Sequence, residues 1–160
     1  MFTLLSSCGI HKYGISRDVN PKEDVHVFLH PKIIISGIKL QGKTRKIDET
    51  NNERAIFDFF IPSGEQEIFL KTAYTHQIYA FSSNSIGVIL KADKGDMVFV
   101  CASIREIGSR RASGGIVETL LTPTLLYLKT DEEKNKVLTN NVINKAYFDE
   151  RCNAAMATKP

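Results

Sequence analysis

Residues 55–72 read Ala-Ile-Phe-Asp-Phe-Phe-Ile-Pro-Ser-Gly-Glu-Gln-Glu-Ile-Phe-Leu-Lys-Thr, and this stretch decides the fold class. Ala55, Phe57, Phe59 and Ile61 share one face of the first run; Ile68 and Leu70 share one face of the second. Alternation with a period of two on both sides of Pro62-Ser63-Gly64-Glu65 predicts a β-hairpin with one buried side. A helix through this point is excluded, because Pro62 lacks a backbone donor and Gly64 permits a positive φ.

The same pattern recurs outward. Val25, Val27 and Leu29 alternate with His26, Phe28 and His30 up to Pro31, and Ile33–Leu40 forms a second run in which Gly37 marks a bulge. Ile86–Ala92 and Met97–Ile104 flank Asp93-Lys94-Gly95-Asp96 as a second expected hairpin. Ile116–Leu121 and Leu125–Leu128 read as two short strands separated by Pro123. Strands this short, divided by turn signals, predict an all-β protein, an antiparallel β-sandwich of about seven strands. After Thr130 the period changes. Thr130-Asp131-Glu132-Glu133 is a capping box, and Val137, Leu138, Val142 and Ala146 follow at helical spacing. A C-terminal α-helix is expected over about Asp131–Phe148, with a frayed tail from Asn153. The organisation expected is an export and linker segment over 1–23, the β-sandwich over 24–130, and the helix and tail over 131–160.

The 160 residues suffice for one domain with a core, and 42% hydrophobic with 24% charged residues is ordinary for a globular chain. The 21 basic and 18 acidic residues are interspersed, so the net charge of +3 gives no basic patch for nucleic acid. No apolar run approaches the ~20 residues of a spanning helix.

Leu5-Ser6-Ser7-Cys8 fits a bacterial lipobox: an aliphatic residue, two small residues, then the cysteine that becomes lipidated. No Lys or Arg precedes it, and the apolar segment is shorter than the usual ~7–15 residues. Of the other cysteines, Cys101 lies in an apolar run and reads as a buried, inert thiol, and Cys152 falls in a polar tail. No C-x-x-C spacing supports zinc or thioredoxin-like chemistry.

Gly37-Ile38-Lys39-Leu40-Gln41-Gly42-Lys43-Thr44 matches the P-loop pattern letter for letter, which makes Gly42, Lys43 and Thr44 the residues of an alternative, nucleotide-binding reading. The mechanism needs a loop whose amides wrap phosphate and then a helix. Ile38 and Leu40 instead continue a strand, and Arg45–Glu53 offers no apolar helical face. On a strand His26 and His30 lie ~13 Å apart, too far to share one ion, and read as solvated surface histidines. His11 and His76 have no ligand at metal spacing, so no metal or other cofactor is expected. Asp58, Glu65 and Glu67 read as solvent-facing carboxylates, no Gly-x-Ser-x-Gly elbow is present, and no catalytic residue is assigned. Arg110-Arg111-Ala112-Ser113-Gly114-Gly115 reads as a surface loop whose arginines suit an anion at most weakly.

The segment order resembles a family of small bacterial cell-envelope lipoproteins that carry a β-domain of unknown function. Val27-Phe28-Leu29-His30-Pro31 occupies its Tyr-Arg-Pro-like first strand, and Ile35–Lys43 its strand into a Gly-Lys turn. Phe59-Phe60-Ile61-Pro62-Ser63-Gly64-Glu65-Gln66-Glu67-Ile68 resembles its Pro-Pro-Gly-x-His hairpin, with Ser63 in place of the second Pro. Lys91–Val100 resembles its later strand pair. The resemblance spans about Asp24 to Leu138. It implies a non-catalytic binding or structural module, tethered to the membrane through a lipid on Cys8 and facing the periplasm, with a protein as the further partner. It carries over no catalytic residues.

Overall fold

The computed structural model describes residues 19–40, 42–46, 56–72, 81–82, 85–107 and 117–158. The strands are β1 (Asp24–Leu29), β2 (Ile33–Leu40), β3 (Lys43–Lys46), β4 (Phe57–Pro62), β5 (Gly64–Thr72), β6 (Phe81–Ser82), β7 (Ile86–Ala92), β8 (Met97–Ile107) and β9 (Val117–Leu128). Helix α1 (Asp131–Val137) follows, then β10 (Leu138–Thr139) and β11 (Val142–Ile143), then α2 (Lys145–Ala157). The protein is an all-β sandwich with helical structure at its C-terminal end.

One sheet has the order β4-β1-β8-β9-β6, the other β3-β2-β5-β7. The four-stranded sheet is antiparallel throughout. The five-stranded sheet is mixed, because β1 runs parallel to β8 and β6 parallel to β9.

These pairings correct the expected hairpins. β4 pairs with β1, whereas β5 pairs with β2 and β7, so the two halves of residues 55–72 belong to different sheets. Ser63 is where the chain crosses the sandwich. Phe59 and Ile61 therefore meet Ile68 and Leu70 across the interior rather than side by side. The pair β7 and β8 behaves likewise: Asp93–Asp96 carries the chain from one sheet to the other. His30-Pro31-Lys32 does so between β1 and β2. Among the described residues consecutive strands pair antiparallel side by side in β2–β3, turning at Gly42, in β8–β9 and in β10–β11. The long antiparallel pair β8–β9 runs in register from Met97↔Leu128 to Ile107↔Glu118.

The crossing at Ser63 depends on Gly64, whose φ of 103° lies where side chains with a Cβ are strained. A Cβ there would touch nothing within 4 Å, so the cost of Gly64→Ala is backbone strain alone. It is expected to lower stability by about 1–2 kcal/mol, measured by urea unfolding. The bulge in β2 falls at Ser36, where the register with β5 shifts between Ile35 and Gly37. The shift turns Ile33, Ile35 and Ile38 all inward despite their mixed parity. Pro123 does not divide a strand. It lies within β9 opposite Ala102, where among the described residues β9 has β8 on one side only and a missing N–H can face away from the ladder.

Burial has two layers. Between the sheets lie Val25, Val27, Leu29, Ile33, Ile35, Ile38, Phe59, Ile61, Ile68, Leu70, Leu90, Val98 and Val100. On the far side of the five-stranded sheet, Phe28, Phe99, Cys101 and Leu128 pack with Val137, Phe148 and Cys152 of the C-terminal segment. Every residue of β1 is consequently buried. That sheet is covered on both faces, and its central strands are apolar at both parities for that reason.

The single expected helix is two. The capping box forms as read, with the Glu133 N–H donating to Thr130 Oγ1 at 3.2 Å and the Thr130 N–H to Glu133 Oε2 at 3.3 Å. Asn140 and Asn141 then adopt φ of 51° and 62°, the two left-handed positions of a tight hairpin turn, and break the helix. Val142, expected on an apolar helical face, is 68% exposed. The tail expected to fray is ordered as α2 up to Ala157, capped at Asn144 by the Tyr147 N–H. Arg151 of α2 pairs with Glu133 of α1 at 2.8 Å.

Candidate functional site

Cys152 is buried and disulfide-bonded to Cys101, with their Cα atoms 5.3 Å apart. This corrects both expectations, the inert thiol in β8 and the cysteine of a polar tail. The bond fastens α2 to the outer face of β8. Cys8, the lipid-attachment candidate, lies outside the described residues.

His26 and Asp58 are also not on a solvated face. They project from β1 and β4 on the outer side of the five-stranded sheet, at 6% and 8% exposure. In the register His26 opposes Phe60 and Phe28 opposes Asp58, so the pair meets diagonally, Nε2 to Oδ2 at 2.7 Å. The imidazole is clasped by aromatics, with centroids 4.0 Å from Phe60 and 4.1 Å from Phe28. A His–Asp pair can orient a base for a nucleophile. Among the described residues no hydroxyl or thiol is hydrogen-bonded to this ring, and burial withholds it from solvent. Its geometry is that of a satisfied polar pair inside an aromatic cluster.

His30 goes elsewhere. Its Nδ1 accepts from the Lys32 N–H at 3.2 Å, and its ring lies 6.3 Å from Phe148. Burial pushes its pKa below 6.5, and the Lys32 charge adds to that. His26 and His30 thus have separate partners, and among the described residues no group of three or more His, Cys, Asp or Glu could hold a metal ion. His11, His76 and Arg110–Gly115 lie outside the described residues.

The P-loop match resolves into strand pairing. Gly37–Leu40 belongs to β2 and Lys43–Thr44 to β3, with Lys39 opposite Thr44 and Leu40 opposite Lys43. Gly42 takes the turn at φ 78°. Strand, not helix, follows the Gly-Lys-Thr, so these residues form no amide-lined loop opening a helix.

Gly42 instead borders an open cleft of ≈ 360 Å³ with Lys39, Glu65, Gln66, Glu67 and Ile89. Lys39, Glu67 and Ile89 lie in one row across the outer face of the four-stranded sheet, on β2, β5 and β7. Lys39 and Glu67 are 3.9 Å apart. Gln66, on the opposite parity, is buried. Its amide nitrogen donates to the Pro62 and Ser63 carbonyls at 3.4 and 3.5 Å, and among the described residues its Oε1 has no hydrogen-bond partner. The cleft joins a cation and two carboxylates, Lys39 with Glu65 and Glu67, so its chemistry suits a polar ligand that donates hydrogen bonds; the Gln66 Oε1 is buried and does not open onto it. Sequence reading missed Gln66. Its inward parity with Ile68 and Leu70 was the available signal.

Asp96 joins several elements. It caps the β7–β8 crossing by accepting from the Asp93 N–H at 2.9 Å, pairs closely with Lys129 after β9, and lies 3.7 Å from Lys134 of α1. Its backbone carbonyl also accepts from the His26 N–H at 2.9 Å. Burial alone would raise its pKa, but the hydrogen bonds from Lys129 and the Asp93 amide, with the charges of Lys129 and Lys134, hold it below the usual 3.8. A depressed carboxylate stabilises the fold fully well above 3.8 and loses that contribution as pH falls through its folded value. The stability gap between wild type and Asp96→Asn should therefore be present at about pH 7 and shrink on acidification below about pH 4, read from urea midpoints.

Among the described residues no helix is long and apolar enough to cross a membrane. Comparison of the chain with protein-family models, with curated proteins and with solved structures gives no match.

Proposed function

We propose that this is an exported bacterial envelope lipoprotein, tethered to the membrane through a lipid on Cys8, whose sandwich faces the periplasm as a non-catalytic binding or structural module. The observation that carries the proposal is the buried Cys101–Cys152 bond, beside the Leu5-Ser6-Ser7-Cys8 lipobox. Structural disulfides form and persist in oxidising compartments and are rare where thioredoxin and glutathione keep thiols reduced. The non-catalytic reading is supported by the closed His26–Asp58 pair, whose ring nitrogen and carboxylate are engaged with each other under aromatic cover. A single simple acyl chain anchors only marginally, so the proposal needs the multiple chains of the bacterial lipid modification.

The test is expression in a bacterial host with metabolic labelling by palmitate. Label and membrane fractionation are expected for the wild type, and both are lost in Cys8→Ala. Alkylation without reduction should leave Cys101 and Cys152 unmodified in intact cells. A protein that is soluble and unlabelled with or without Cys8, and whose other two thiols react freely in cells, refutes the proposal.

A further inference from the structure

The four-stranded sheet ends differently at its two sides. β3 is four residues long and reads Lys-Thr-Arg-Lys, a short, basic edge of the kind that discourages strand pairing. β7 is seven residues long, and Ile89 at its centre is 60% exposed. Among the described residues β7 has β5 as its only strand partner. The Lys91 N–H is directed away from β5, since it donates to the Tyr127 hydroxyl at 3.2 Å. Alternation along an antiparallel strand then turns the N–H and C=O of Gly87 and Ile89 to the same open side.

We infer that β7 is a self-association edge, pairing antiparallel with β7 of a second copy about a two-fold axis at Ile89. The occupant is argued from charge. A Cβ on Gly87 would stand 2.7 Å from Glu67 Oε1, so that carboxylate lies over Gly87 at the sheet margin. Lys91 makes no ion pair among the described residues, although Glu65 is its register partner on β5. With Ile89 opposite the Ile89 of the second copy, Gly87 comes opposite Lys91, twice by symmetry. Each Lys91 ammonium then meets the Glu67 carboxylate lying over the opposing Gly87. A register centred on Gly87 would instead bring two Glu67 carboxylates together. The chosen register also covers the exposed Ile89 with its own copy and gives six main-chain hydrogen bonds, the Gly87 carbonyl of the second copy taking the place of the Tyr127 hydroxyl on the Lys91 N–H. The product is a continuous eight-stranded sheet, since each copy contributes four strands.

The experiment uses the full-length chain carrying Cys8→Ser, which removes lipid micelles and stray disulfides as causes of association. Sedimentation equilibrium should show a monomer–dimer mixture whose dimer fraction rises with concentration below about 1 mM. Ile89→Pro deletes an outward N–H, a change an edge strand accommodates, and should weaken dimerisation at least tenfold with an unchanged circular dichroism spectrum. Ile89→Lys should do the same if the proline variant fails to fold. Glu67→Lys should weaken the dimer, and Glu67→Lys with Lys91→Glu should restore it. A chain monomeric at every concentration tested, a dimer indifferent to both Ile89 variants, or a charge swap that does not restore pairing overturns the inference.

Discussion

Replacing Cys101 and Cys152 together by alanine should remove about 4 kcal/mol of stability. The bond closes a loop with a sequence separation of 51, and loop-closure entropy for that length corresponds to about 4 kcal/mol. Against a total of roughly 5–15 kcal/mol for a domain, the loss is a large fraction. For a chain of this size it should lower the melting temperature by about 8–16 °C, measurable by calorimetry with and without reductant. The effect should also be unevenly distributed. Cys152 and Phe148 stand one turn apart on α2 and are the residues of that helix buried against Phe28, Phe99 and Leu128. Without the bond, α2 is held by that apolar contact and by the Arg151–Glu133 pair. Limited proteolysis should then cut within Lys145–Ala157 well before the sandwich. Equal cleavage rates in the oxidised and reduced protein would show that the bond does not secure this helix.

The long strands β1, β2, β4, β5, β7 and β8 are legible in the sequence, and their partners are not. Alternation at Phe57, Phe59 and Ile61 and at Ile68 and Leu70 marks which faces are buried, and those faces are buried. The same alternation results whether two successive strands lie side by side or face each other across a sandwich, because side chains report the faces and hydrogen bonds join the edges. The length of the connection separates the two cases once the strand ends are known. Only Ser63 separates β4 from β5, whereas the commonest tight hairpin needs two residues. The second covered face was also visible, in Phe28, Phe60 and Phe99 at the parity assigned to solvent. Those three aromatics together place His26 and Asp58, on the same face, inside. The C-terminal correction has a local cause. Asn140 and Asn141 tolerate left-handed φ better than most residues, and the turn they make outweighs the helical spacing of Val137, Leu138 and Val142. The cleft was the least legible feature, since it depends on Gly42, Gln66 and Ile89, which local sequence does not connect.

Asp58→Ala should destabilise the protein by about 2–4 kcal/mol, the range between orphaning a neutral buried partner and orphaning a charge. The loss should be this large because His26 has little alternative. Its ring is fixed by Phe28 and Phe60 at about van der Waals separation, it is 6% exposed, and the carboxylate 2.7 Å away is the hydrogen-bond acceptor the structure gives it. Turning outward would break the aromatic stack, and staying in place would leave Nε2 buried and unpaired. A double replacement, His26→Phe with Asp58→Leu, separates structure from chemistry. Buried polar pairs replaced by apolar side chains of similar size are often neutral or better, so the double variant should unfold within about 1 kcal/mol of wild type in urea. With His26→Phe and Asp58→Leu also measured singly, the cycle closes and its coupling energy measures what the pair is worth. If the double variant instead loses as much as Asp58→Ala, the aromatic cluster requires a hydrogen-bonded pair at its centre, and packing alone does not explain why His26 and Asp58 lie where Phe28 and Phe60 close over them.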